Sequence, residues 1–350
     1  MHTQAIGGRQ PDFDQFLKVL RRQGRPSHLP FYEHIASGEF IDARTGKAFS
    51  RMGAEDPNRW PTFVEFWLGM GYDCVPMEIP LNCPLGDARA SGAQSFESEA
   101  KVVIRTMADF EQYPWPTEAN PLDFRHFESV ARLLPPGAKI VGGVCMGPFE
   151  WVSQMMGVMG LSYAIFEQPD LVAAMFRKIG ALICSADRQI ATMDAIGALR
   201  QGDDLGFKTS TFLCPDDLRR FVFPIYREMV AIAHAAGKPF ILHSCGNLDE
   251  IYPELIDAVG IDAKHSFEEA ILPVEEFKRR YGSKVTPLGG LDVDLICRGT
   301  EQEIRRYTRS KIEQCFAADG WWALGTGNSL TNYMPVKNYL IALDEGLKVR

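Results

Sequence analysis

Apolar residues in this chain cluster in short continuous runs that end in polar or glycine residues and give way to stretches with helical spacing. The runs are HLPFYEHI (residues 28–35), YDCVPMEI (72–79), KIVGGVCM (139–146) and IGALRQGDDLG (196–206), followed by KPFILHSCG (238–246), GIDAKHSF (260–267), KVTPLGGLD (284–292) and GWWALGTGNS (320–329). Strands buried on both faces read as continuous apolar runs, and their alternation with helices implies a parallel sheet with right-handed crossovers. Eight such units predict an α/β fold closed into a (β/α)8 TIM barrel.

Helix ends are marked between them. Pro215, Asp216 and Asp217 open a helix that runs past Met229 toward Ala236, with Gly237 as its stop. Thr300 followed by Glu303 is a capping-box arrangement, and that helix should reach about Ala318. Residues 1–27 read as an N-terminal helical extension. Residues 40–61 are polar and rich in glycine, proline and charge. Residues 84–107 read as a loop and hairpin on the barrel rim, with a half-exposed strand over 101–107. The whole chain, 1–350, reads as a single domain.

Composition narrows the function classes. A net charge of −8 over 350 residues argues against a nucleic-acid footprint, which needs a concentrated basic patch. The longest apolar run, residues 157–166, is too short to span a bilayer. The first residues carry early acids and no apolar core, so a signal peptide is not expected and a cytoplasmic location is. Eight cysteines scattered without framework spacing predict reduced thiols.

In a barrel of this kind, chemistry sits at the C-terminal ends of the strands. The polar residues there are Glu33 and His34, Glu78, Glu150, Asp203 and Asp204, His243 and Cys245, His265, Asp292, and Thr326, Asn328 and Ser329. His243 and Cys245 stand out, because residues i and i+2 of a strand share a face. An imidazole and a thiolate converging on one point are a natural zinc pair. Cys315 lies inside a helix far from that end and reads as a core thiol; Cys145, nearer the rim, is also assigned to the core.

The strings KIVGGVCMGPFEW, GDDLGFKTSTFLCPDDLRRFVFPIYREM, KPFILHSCGNLDEIYPELIDAVGIDA, TPLGGLD and ALGTGNS resemble the uroporphyrinogen decarboxylase superfamily from about the second strand to the C-terminus. Within it, H-x-C-G resembles the zinc-binding, cobamide-dependent methyltransferase branch. The decarboxylases carry an arginine-rich N-terminal signature, R-Q-A-G-R, and an aspartate ending an early strand. Here the matching run is LPFYEHIASGEF and the early strand ends in Glu78. A polycarboxylate site without its arginines is hard to build.

The methyltransferase branch adds a cysteine after the last strand, whereas residues 325–329 here read GTGNS. The resemblance therefore implies a zinc site of His243, Cys245 and an oxygen donor. Glu150 is the first candidate for that donor, with Asp203 or Asp204 in reserve. A carboxylate in place of a thiolate leaves zinc a harder Lewis acid, suited to an ether oxygen. The expectation is thus a zinc-dependent O-demethylase component that passes a methyl group from a methoxylated aromatic to the Co(I) corrinoid of a separate protein.

Glu78, Asp203, Asp204, His265 and Asn328 are the candidate catalytic groups. Phe149, Trp151, Met155, Phe207 and Tyr333 are the candidate substrate-binding residues, with Met156 beside them. No nucleic-acid or membrane partner is expected, and a homodimer is left open. Alternatives are transfer from a methylated corrinoid to a thiol or pterin, a metal-free lyase, and a non-catalytic barrel.

Overall fold

The computed structural model describes residues 8–86 and 102–349. Six parallel strands, β1 (Cys74–Pro80), β2 (Lys139–Cys145), β3 (Ile196–Gly202), β4 (Phe240–His243), β5 (Ala263–His265) and β6 (Thr286–Pro287), pair in sequence order. The remaining two predicted strands join through single parallel bridges, Leu288 with Ala323, Leu291 with Thr326, Phe31 with Leu324 and Ala36 with Leu330. All eight predicted runs therefore take barrel positions, and the fold is a TIM barrel. The first strand and the last two are shorter than the runs suggested. Pro30 lacks an N–H for a ladder, and Gly289, Gly290, Gly325 and Gly327 weaken strand conformation where they cluster.

Between the first run and β1 the wall is closed by side chains. Arg9 bonds the Leu29 carbonyl and the Asp73 carboxylate, and Phe31 packs edge-on against Tyr72. Glu33 locks the first run to the last. It accepts hydrogen bonds from the Thr326 amide, the Thr326 hydroxyl and the Tyr339 hydroxyl. Burial pushes its carboxyl up to about 7 against those three donors.

The interior is layered. The helix Phe13–Arg21, started by Asp12 accepting from the Asp14 amide, turns Phe13, Phe16, Val19 and Leu20 into the N-terminal end of the barrel. They meet Tyr32, Cys74, Val141, Ala198, Ile241, Ala263, Leu288 and Ala323, one inward side chain from each strand position. A larger apolar cluster fills the space between the sheet and the outer helices. The predicted N-terminal helix is thus a plug, held by Arg22 donating to the Asp262 carbonyl and Thr286 Oγ1.

Both marked helices are present. The one opened by Pro215 runs to Ala235 with a π-helical stretch over Leu218–Val222. The other, Glu301–Cys315, has both halves of its capping box and ends three residues before Ala318. Two expectations need correction. Residues 40–61 are not merely loop, because helices Gly38–Thr45 and Arg59–Gly69 and a 3-10 turn Phe49–Arg51 draw on them. The aromatic spacing of Trp60, Phe63 and Trp67 gives the second helix a face to bury.

Most of the proposed hairpin, residues 87–101, lies outside the described residues. Of its strand, residues 102–106 form no ladder. The Val103 and Ile104 amides donate instead to the Met155 carbonyl, and Met107–Gln112 is a short helix. All eight cysteines are free thiols. Among the described residues no helix is long and apolar enough to cross a membrane.

Candidate metal centre at the barrel mouth

Two residues beyond four of the inward positions the chemistry changes: Tyr32 is followed by His34, Ala198 by Arg200, Ile241 by His243 and Ala263 by His265. The side-chain period of two keeps these residues facing inward. Register sets His243 beside Gly202 on one flank and His265 on the other.

His243, Cys245 and Asp204 each present one ligand atom, all within 4.8 Å of one another. Cys245 Sγ is 3.5 Å and Asp204 Oδ1 3.6 Å from His243 Nε2. Zinc bonds of about 2.0–2.3 Å at tetrahedral angles put donors roughly 3.4–3.6 Å apart. The nitrogen, sulfur and oxygen set therefore fits a zinc ion by donor type and, for both pairs that include His243, by spacing.

The imidazole is set for that role by its other nitrogen. His265 Nε2 lies 3.0 Å from the Thr326 carbonyl, which can only accept, so this nitrogen carries the proton and His265 Nδ1 is bare. His243 Nδ1, 2.7 Å away, must then donate to it. That leaves the lone pair of His243 on Nε2, facing Cys245 and Asp204. Burial, then neighbouring positive charge, holds His243 well below the ordinary histidine range. Burial lowers His265 to about 3. Both rings are neutral, the form a metal ligand needs.

The loops are pinned around this point. Asp204 Oδ1 accepts the Cys245 amide at 2.8 Å. Ser266 Oγ and Asn328 Nδ2 each donate to Cys245 Sγ at 3.4 Å. Gly246 has φ 83°, and a Cβ there would sit 2.2 Å from the Gly206 backbone, so the turn after the cysteine admits only glycine. Burial, followed by the Asp204 charge, pushes the Cys245 thiol up. It is therefore protonated without a metal and would release a proton on binding one.

Glu150, the first expectation for the oxygen ligand, is not in this group; Asp204, one of the two reserves, takes that position. Asp203 points elsewhere. Its carboxylate accepts the Phe149 and Glu150 amides at 3.1 and 2.8 Å and the Tyr226 hydroxyl at 2.7 Å. It thus caps the helix Pro148–Met156, with burial raising it to about 7. Glu150, on that helix, is raised well above the carboxylate range by burial, then by Asp203 and Asp204.

Glu78 lies on the other side of the mouth. Arg200 donates to it at 2.5 Å and also bonds the His34 carbonyl and ring. His34 stacks on His243 with ring centroids 3.8 Å apart. Cys145, expected in the core, is half-buried, with Glu78 and Glu150 acting on its thiol, so it belongs to the mouth.

The expected substrate residues do not form one slot. Trp151, Met155 and Met156 are buried on the inner face of their helix, and Trp151 Nε1 is spent on the Cys145 carbonyl. Phe149 stacks on Phe212, while Phe207 and Tyr333 are exposed. Arg200 and Ser266 were not among the expected site residues. For Arg200 a signal existed: a lone charge inside an apolar run, two residues after an inward alanine.

The molecule is thus a (β/α)8 barrel with a candidate metal centre at the C-terminal ends of its strands. Residues 96–344 match the uroporphyrinogen decarboxylase (URO-D) family, and the chain belongs to that family. Among solved structures it is similar to a methyltransferase from Methanosarcina mazei. That likeness has 16% identity and a TM-score of 0.71, covering 95% of this chain and 97% of that one. It is also similar to a candidate vitamin-B12-independent methionine synthase from Listeria monocytogenes. There the identity is 12% and the TM-score 0.50, covering 92% of this chain and 97% of that one. At these identities the likeness is one of fold. No curated protein matches the sequence.

Proposed function

We propose that this protein is a zinc-dependent methyltransferase that takes a methyl group from a methoxylated aromatic and passes it to a corrinoid carried by a partner protein. The observation carrying this reading is the group Asp204, His243 and Cys245, with His243 Nε2 bare and 3.5 and 3.6 Å from the other two donors. Zinc, when bound there, supplies a Lewis acid for an ether oxygen. With one carboxylate among the ligands, that acid is harder than a site with a second thiolate.

The protein's own groups do the rest. His265 and the Thr326 carbonyl hold the tautomer of His243, while Ser266 and Asn328 hold the thiolate. Glu150, raised well above the carboxylate range by burial, then by Asp203 and Asp204, is the group suited to give a proton to the departing oxygen. In the transfer the ether C–O bond breaks with its pair on oxygen. The new bond to carbon uses a pair from the partner's Co(I) corrinoid, which is oxidised by two electrons as the oxygen takes the proton.

The likeness in fold to a methyltransferase, and the absence of the decarboxylase arginine signature from LPFYEHIASGEF, favour this reading over decarboxylation. The test is to incubate the zinc-loaded protein with methoxyphenols and a reduced corrinoid protein and to follow loss of the Co(I) spectrum with release of the free phenol. Both changes are expected, and both should vanish in Cys245→Ala. A reduced corrinoid left unchanged by every methoxyaromatic, with zinc bound, would remove the reading.

A further inference from the structure

A cleft on the Glu78 and Arg200 side of the mouth has the chemistry of a substrate site. It measures about 390 Å³ and its walls include Phe49, Trp60, Phe63, Trp67, Glu78 and Arg200. We propose that it binds a single aromatic ring carrying ether or phenol oxygens. This deepens the methyltransferase reading and rests on it for the fate of the methyl group.

The walls are aromatic and preformed. Phe49 stacks on Phe63 at 5.8 Å, and Trp60 and Trp67 meet Phe63 edge-on at 6.0 and 6.2 Å. Arg59 lies over Phe49 at 4.5 Å and over Trp60 at 5.4 Å, bracing the outer wall. Interlocked rings lose little freedom when another ring stacks against them.

Its cations stand at the two ends, Arg59 at the outer wall and Arg200, paired with Glu78, at the inner end. Guanidinium groups only donate, so they favour a ligand that brings acceptors. The charges lining the cleft cancel, Arg59 and Arg200 against Glu39 and Glu78. A ligand with many carboxylates therefore finds no net attraction there, whereas a neutral methoxyphenol meets both rings and donors.

The inner end leads to the metal centre. Glu78 Oε2 is 3.6 Å from His34 Nε2, and the His34 ring stacks on His243. One imidazole thus separates the cleft from a metal ligand. Two other clefts are less suited. One of about 520 Å³, around Arg125 and Arg132, shares Trp60 but none of the mouth residues. One of about 320 Å³, beside Asn328 and Tyr333, is lined by Glu268, Glu269, Asp292 and Asp294 and would repel a departing phenolate.

The test measures binding of three probes to the full chain, zinc-loaded and metal-stripped, by calorimetry and tryptophan fluorescence. The probes are 2-methoxyphenol, 2-methoxycyclohexanol with the same oxygens and no aromatic ring, and toluene with the ring and no oxygen. The first should bind at least about tenfold more tightly than either other. Trp60→Ala should weaken it about tenfold and Tyr333→Ala less than about twofold. Phe63→Leu, which keeps most of the buried volume, gives the same readout should Trp60→Ala fold poorly.

Removing zinc should weaken 2-methoxyphenol less than Trp60→Ala does, because the ring is held by the cleft and no ligand residue lines it. Loss of methyl transfer with this binding intact would count against the methyltransferase reading alone. Equal affinity for the three probes, or weakening by Tyr333→Ala with Trp60→Ala and Phe63→Leu neutral, would overturn the cleft assignment.

Discussion

Two adjacent layers inside the same barrel are built from the same strands and have opposite chemistry. The lower layer takes Tyr32, Cys74, Val141, Ala198, Ile241, Ala263, Leu288 and Ala323, closed from beneath by Phe13, Phe16, Val19 and Leu20. Two residues further along, the same strands offer His34, Pro76, Gly143, Arg200, His243, His265, Gly290 and Gly325. The lower set needs only to exclude water and fill space. In the upper set three imidazoles and a guanidinium are buried together, held by hydrogen bonds among themselves and to the His34 and Thr326 carbonyls and Glu78. The glycines there make room: a Cβ on Gly325 would lie 1.8 Å from the Tyr32 carbonyl. A single step of two residues thus separates the part of the barrel that holds the fold from the part that can hold a metal.

The sharpest way to break this division is from below. Phe16→Ala opens a cavity in the lower layer and should cost about 3–5 kcal/mol in denaturant unfolding, while zinc per folded chain stays the same. Loss of zinc along with stability would show that the two layers are one unit.

From above, His265→Leu removes the acceptor for His243 Nδ1–H. Chelator competition should then show zinc held about 10–100-fold more weakly, with the unfolding midpoint moving far less than in Phe16→Ala. Unchanged zinc affinity would mean that the tautomer is fixed by something else.

A third change probes the seam that closes both layers. The Glu33 carboxyl is raised to about 7 from an ordinary 4.5. Its contribution to stability is full below about 4.5 and is lost as pH rises through about 7. From pH 5 to pH 8 the parent should lose stability relative to Glu33→Gln, by roughly 1–3 kcal/mol. Parallel pH profiles would contradict burial as the cause of the raised value. The smallest effect belongs outside the barrel, where Thr300→Ala removes half of a capping box and should cost about 1 kcal/mol without touching zinc.

Much of this architecture is legible in the sequence, for a physical reason. A strand buried on both faces must be apolar along its length, so eight apolar runs locate eight strands. The first and the last two blur because Pro30 in the first and glycines in the others leave bridges where ladders were expected. H-x-C could be read because i and i+2 share a face. The third ligand could not, because Asp203 and Asp204 are adjacent and a one-residue step sends one to a helix N-terminus and the other to the thiol. The cleft aromatics escaped notice because Trp60 borders a polar stretch, and only the folded helix Arg59–Gly69 brings it beside Glu78 and Arg200.

Zinc stoichiometry tests the centre most directly, measured after reconstitution under reducing conditions in the parent, Asp204→Asn, Cys245→Ala and Glu150→Gln. About one zinc per chain is expected in the parent and in Glu150→Gln, with little or none in Asp204→Asn and Cys245→Ala. A parent that takes up no zinc, or zinc kept by Asp204→Asn and lost by Glu150→Gln, would contradict a centre built from Asp204, His243 and Cys245.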